Sequence, residues 1–112
     1  MARNMSFMLT TEQIKNKTKT VTRRIGWWFL KPGDILNACE KCQGLKKGEK
    51  VKKICQIGVV SVRTDWLKAI DSNELKLEGF PSMTVADFID MFCKHNKCRP
   101  GSIVNRIEFM YL

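Results

Sequence analysis

Two clusters of cationic side chains carry the first chemical signal in this sequence. Lys15, Lys17, Lys19, Arg23 and Arg24 fall within one ten-residue stretch, and Lys46, Lys47, Lys50, Lys52 and Lys53 within another of eight. Grouped lysines and arginines replace the counterions of a phosphate backbone, and aromatic rings beside them can stack on unpaired bases. Trp27, Trp28 and Phe29 follow the first cluster directly, so Arg23, Arg24, Trp27, Trp28, Lys46 and Lys47 are the candidate contacts to RNA or to a nucleotide. Twenty Lys and Arg against eleven Asp and Glu give a formal charge of +9, a field that draws polyanions. The bland alternatives are a solvated lysine loop at 46–53 and a Gly-Trp-Trp-Phe-Leu run that caps a barrel end. One tryptophan is expected to be buried there and one exposed toward the cleft.

Metal and disulfide chemistry are weaker readings. Cys39-x-x-Cys42 and Cys93-x-His95-x-x-Cys98 contain enough thiols and imidazole for zinc, but two residues three apart on a regular strand face opposite sides. No metal and no cofactor are therefore expected, and the five cysteines are read as free thiols. His95 suits a helix C-terminus better than a catalytic role. The longest apolar run, Ile25 to Leu30, is far short of the roughly 20 residues that span a bilayer. The first residues also lack the apolar stretch of a secretory signal, so the expectation is a cytoplasmic protein with no membrane partner.

Positioning these groups requires strands for the most part. Ser6 to Leu9 is a strand candidate, and Thr10 with Gln13 has capping-box spacing for a short helix to about Asn16. Thr18 to Arg24 is rich in β-branched residues and extended. Lys31-Pro32-Gly33 makes a turn before a strand from Asp34 or Ile35 to Glu40 or Lys41, and the segment from Gly44 to Glu49 reads as a hairpin loop. Val51 to Arg63 is a long strand, bent at Gly58 as a barrel strand would be. Asp65 to Ile70 fits a short helix, and Ser72 to Leu77 a polar linker. Val85, Phe88, Ile89 and Phe92 form one stripe of a helix from Thr84 to His95, and Ile103 to Leu112 alternates as a last strand. With 112 residues, the whole chain, 1–112, reads as a single domain.

The run Lys19-Thr20-Val21-Thr22-Arg23-Arg24 resembles the K-x-x-x-x-R signature of ASCH domains, which are PUA-like barrels associated with RNA. Leu30-Lys31-Pro32-Gly33-Asp34, Glu78-Gly79-Phe80, Phe88 and Ile107-Glu108-Phe109 follow in the family's order. The Trp27-Trp28 pair and the segment from Glu78 to Phe92 look like small ASCH proteins of phages and prophages. The family commonly has glycine two residues before the signature lysine, where this chain has Lys17. The resemblance implies an α+β fold, a PUA-like mixed β-barrel of about five or six strands with two or three short helices.

One group of ASCH-like bacterial enzymes hydrolyses 4-acetylcytidine with a lysine, a threonine and a glutamate. Its K-T-x-T-x-R pattern matches Lys19, Thr20, Thr22 and Arg24, and its glutamate corresponds most naturally to Glu78. The resemblance thus implies a catalytic triad of Lys19, Thr22 and Glu78, with Thr20, Arg23 and Arg24 binding the substrate. Thr22 would be nucleophile or would hold a water; Lys19 would be a base if burial or Arg24 lowers its pKa; Glu78 would relay a proton or hold the lysine. Thr20, Thr22 and Arg24 share one strand face, so Lys19 must lie before the strand or at a bulge. The alternatives are a non-catalytic RNA-binding accessory protein and a metal-independent ribonuclease.

Overall fold

The computed structural model describes residues 2–42 and 45–112, and its framework is a curled sheet of five strands. These are β1 (Arg3–Ser6), β2 (Val21–Arg24), β3 (Ile35–Cys39), β4 (Lys53–Trp66) and β5 (Ile103–Tyr111), in the spatial order β1-β3-β4-β5-β2. β1 pairs with β3 in parallel and the other pairs are antiparallel, so the sheet is mixed. Three helices accompany it, α1 (Thr11–Lys15), α2 (Ser72–Glu78) and α3 (Val85–Asn96). This is an α+β fold, a half-barrel consistent with the PUA-like expectation. No helix among the described residues is long and apolar enough to cross a membrane.

β5 shows how alternation divides the interior. Ile107 and Phe109 point into the curl, where they pack with Met5, Phe7, Ile14, Leu36, Ile57 and Val59. Val104 joins the second core, beneath the helices, with Leu67, Ile70, Leu75, Phe88 and Phe92. Both faces of a central strand are thus covered, which explains why Val104 to Ile107 are all buried. α3 begins as its sequence predicts: the Thr84 hydroxyl accepts from Asp87 N at 3.1 Å.

Five local expectations need correction. The first strand is Arg3–Ser6 rather than Ser6 to Leu9, because the Phe7 carbonyl accepts from Thr10 N and from the Thr11 hydroxyl and turns Met8–Thr10 into a 3-10 turn. That turn replaces the Thr10–Gln13 capping box, and Gln13 donates instead to Gly79 O at 3.1 Å. Asp65 and Trp66 extend β4, leaving only a 3-10 turn at Leu67–Ala69. The irregularities of β4 lie between Lys53 and Cys55 and between Val59 and Ser61, whereas Gly58 stays in register and allows Leu112 to approach.

The fifth correction matters most for function, because the supposed linker from Ser72 to Leu77 is α2. The Asp71 carboxylate accepts from Glu74 N at 2.9 Å as N-cap, and Gly79, at φ 97°, ends the helix in the left-handed region. The Asp71-x-x-Glu74 spacing and Gly79 were the sequence signals for it. A β-carbon at Gly79 would lie 2.8 Å from Gln13 Cγ, so this close approach of α1 also needs glycine. Glu78 is accordingly the last residue of α2.

Candidate functional site

The two edge strands of the half-barrel, β1 and β2, are not paired with each other. The Arg24 guanidinium spans them, donating to Ser6 O at 2.6 Å and to Thr22 Oγ1 at 3.1 Å while lying 4.8 Å over the Phe7 ring. Between this edge, the end of α2 and the side of α3 opens a cavity of about 120 Å3. Lys19, Thr22, Arg23, Arg24 and Glu78 form its polar part; Phe7, Phe80, Phe88 and Phe92 its apolar wall; Met8, Leu9, Met91, His95 and Asn96 complete the lining.

Lys19 precedes β2, as the alternation argument required. Thr20 N donates to Leu77 O and Thr20 O accepts from Phe109 N, so this residue docks α2 on one side and β5 on the other. Lys19 is thereby aimed at the end of α2, where Nζ donates to Glu78 Oε1 at 3.0 Å and to the Glu78 carbonyl at 2.7 Å. Both side chains are almost wholly buried, 3% and 4% exposed. Burial lowers the Lys19 pKa below its usual 10.5; the Glu78 carboxylate opposes that shift, and the Arg24 and Arg23 charges add to it. The Tyr111 hydroxyl donates to Lys19 O at 2.6 Å and holds the backbone in place.

The direction of Arg23 could not be read from the sequence. It turns inward: Nη1 donates to Glu78 Oε2 at 3.0 Å and Nη2 to Glu74 Oε1 at 2.7 Å, with the side chain 1% exposed. Arg106, from β5, closes on the same Glu74 through Nε at 2.5 Å and Nη2 at 3.1 Å. These two arginines hold the Glu74 carboxyl down at about 2, the hydrogen bond from Arg106 being the largest cause. Neither Glu74 nor Arg106 was a candidate from sequence, because an arginine in a last strand and a glutamate in a supposed linker carry no local mark of partnership.

Arg24 differs from its neighbour. Among the described residues it has no carboxylate partner within ion-pair distance, and burial brings its pKa down to about 10. The cavity thus holds Lys19, Arg23 and Arg24 against the single carboxylate of Glu78, a local excess of positive charge. The Nε of Arg23 is a buried donor without an acceptor among the described residues.

The structure therefore brings Lys19, Thr22, Arg23, Arg24 and Glu78 together and leaves the other candidates outside. Thr20 does not line the cleft, and its main-chain N and O make the docking bonds. Trp27 takes φ 57° in a tight turn and packs half-buried against the barrel core and on Phe29, while Trp28 is exposed. Neither tryptophan lines the cleft, which corrects the expectation of one that does; the turn after β2 packs Trp27 on the barrel core instead. Lys46 and Lys47 lie exposed on the β3–β4 connection, where the Glu49 carboxylate accepts from Lys46 N at 2.6 Å and closes a turn. Gly44, part of the expected hairpin loop, lies outside the described residues. His95 is in the last turn of α3, as expected, and also lines the cleft.

Among the described residues no three Cys, His, Asp or Glu side chains gather as metal ligands would. Cys93 and Cys98 have their sulfurs 3.9 Å apart at the end of α3, and Cys39 is buried on β3.

No protein-family model matches the sequence, and no curated protein matches it. Solved structures do share its fold. A crystal structure of an ASCH domain from Lactobacillus crispatus superposes with a TM-score of 0.66 at 14% identity, covering 97% of this chain and 78% of that one. The protein EF3133 from Enterococcus faecalis, of the DUF984 family, gives 0.69 at 10% identity over 99% and 79% of the two chains. The hypothetical protein PH0355 gives 0.66 at 16% identity over the full length of both. The fold is therefore ASCH-like.

Proposed function

We propose that the cleft takes one base of RNA or of a modified nucleoside and hydrolyses an acyl amide on it, the substrate class being 4-acylated cytidine. The observation that carries this reading is the buried Lys19–Glu78 pair at the cavity, with a lysine whose pKa is lowered by its surroundings. At about 120 Å3 the cavity is smaller than the roughly 300–1,000 Å3 of drug-sized sites, a size for one ring system against the phenylalanine wall.

In this reading neutral Lys19 takes the proton of an attacking water, and Glu78 receives it in turn or returns it to the departing amine. The Arg24 guanidinium and the Thr22 hydroxyl, which it already orients, face the oxygen that becomes negative. The amide carbon–nitrogen bond then breaks to give cytidine and the carboxylate. Thr22 serves here as a donor rather than as nucleophile, since its hydroxyl has no hydrogen bond to Lys19 Nζ, whose acceptors are both on Glu78.

A second reading, a non-catalytic RNA binder, draws support from the same pair. Glu78 is shared by Lys19 and Arg23, and that ion-pair lattice fastens α2 to β2 whether or not chemistry occurs. Arg24 and the unpaired Arg23 Nε would then hold a phosphate or a base oxygen.

Purified wild type and Lys19→Met, which leaves Glu78 paired with Arg23, are to be incubated with 4-acetylcytidine and the nucleosides separated by chromatography. Cytidine released by the wild type and not by the folded variant is the expected result. A folded wild type that releases none rejects the amidohydrolase and leaves the binder.

A further inference from the structure

The two basic clusters, separated by residues 25–45 in sequence, meet in space. Lys15 and Lys17, from the end of α1 and the turn after it, line a surface hollow together with Lys53, the first residue of β4. Ile14 and Ile54 are its apolar floor, and Glu40 is the carboxylate that shares it. The convergence shows again at the half-buried Cys55 thiol, which burial pushes up in pKa while the Lys17 and Lys53 ammonium groups pull it down. None of these three lysines has a carboxylate within ion-pair distance among the described residues, although all three are exposed.

The hollow and the cleft are two sides of one segment. Met8, Leu9, Thr10 and Lys19 face the cleft, whereas Ile14, Lys15 and Lys17 face the hollow. Lys17 moreover adopts φ 59°, the left-handed region where glycine sits without strain and lysine does not.

We infer that the α1/β4 hollow, with Lys15, Lys17 and Lys53, is a track for the phosphodiester backbone of single-stranded RNA leading to the cleft. The exposed Lys46, Lys47, Lys50 and Lys52 extend it along the hairpin. The strand is single because the cleft admits an unpaired base, and on this point the inference rests on the proposed function. The ammonium groups contact phosphates without reading sequence, and the isoleucine floor supports a sugar or base edge.

The test is fluorescence anisotropy with a fluorescein-labelled single-stranded RNA of mixed sequence, titrated from low to high salt. Wild type is compared with the triple variant Lys15→Gln, Lys17→Gln, Lys53→Gln and with a control triple at Lys31, Lys94 and Lys97. Loss of three phosphate contacts should flatten the log–log salt dependence by about 2 and weaken binding roughly tenfold at moderate salt, while the control triple changes little. Equal losses in the two triples, an unchanged salt slope, or no RNA binding by the wild type would overturn the track. Hydrolysis of free 4-acetylcytidine is measured alongside and should be unaffected in the hollow triple. If it proceeds without RNA binding, the track alone has failed; salt-dependent binding through these lysines without hydrolysis removes only the cleft chemistry.

Discussion

Replacing Glu78 by Gln tests whether the site is built on charge. The substitution keeps shape and one acceptor oxygen, but it puts an amide N–H where a carboxylate oxygen now receives Lys19 Nζ or Arg23 Nη1, each at 3.0 Å. Removing one member of a buried ion pair costs about 3–5 kcal/mol, mostly from the charge left behind. Two structural features reduce that figure here. Arg23 keeps Glu74 at 2.7 Å, and Lys19 keeps the Glu78 carbonyl and can shed its proton, since the carboxylate is what holds its pKa up against burial. The expected loss near neutral pH is therefore about 3 kcal/mol, and at about 4 °C per kcal/mol for a chain of this size the melting temperature falls by roughly 12 °C. Urea unfolding followed by circular dichroism measures it. The loss should shrink as the pH rises through the folded-state pKa of wild-type Lys19, which lies below 10.5, because above it the lysine is neutral in both folded proteins and the carboxylate no longer holds an ammonium charge there. A loss under about 1 kcal/mol, or one that does not vary with pH, would refute a site held by these charges.

The Lys17→Gly variant should be more stable by about 0.5–1 kcal/mol, because glycine accepts φ 59° without strain, and it should bind RNA with a shallower salt slope; a melting temperature at or below that of the wild type contradicts the strain. Glu74, held near 2, contributes stability that is present above its ordinary value of 4.5 and is lost as the pH falls from there toward 2. Allowing for its partial exposure, that contribution is about 1–3 kcal/mol. In the Glu74→Gln variant the acid limb of the stability curve should flatten by that amount, and an unchanged limb would contradict the pairing with Arg23 and Arg106.

Much of the fold was legible along the chain because local spacing encodes it. The alternation of Ile103 to Tyr111 reads as a strand, the stripe Val85, Phe88, Ile89 and Phe92 as one face of a helix, and Pro32-Gly33 as a turn, and each formed. α2 was missed although Asp71, Glu74 and Gly79 marked its ends, because its polar middle resembles a linker. The apolar contribution of Leu75 is seen only when Phe88 and Val104 arrive beside it. The first strand was displaced by a turn whose hydrogen bonds begin at Phe7, a competition that composition does not show.

The sequence by itself determined the stock of the site: a lysine, a threonine and two arginines within six residues, a glutamate far away, and a formal net charge of +9. Only the tertiary structure decided their use. Lys19 and Glu78 meet because Thr20 ties the strand to Leu77; Arg23 turns inward because Glu74 and Glu78 lie on one helix beside it; Arg24, among the described residues, has no carboxylate within ion-pair distance. Side-chain type is a local property, whereas burial, and with it the lowered pKa of Lys19 and the direction of each arginine, depends on what distant segments of the chain bring alongside.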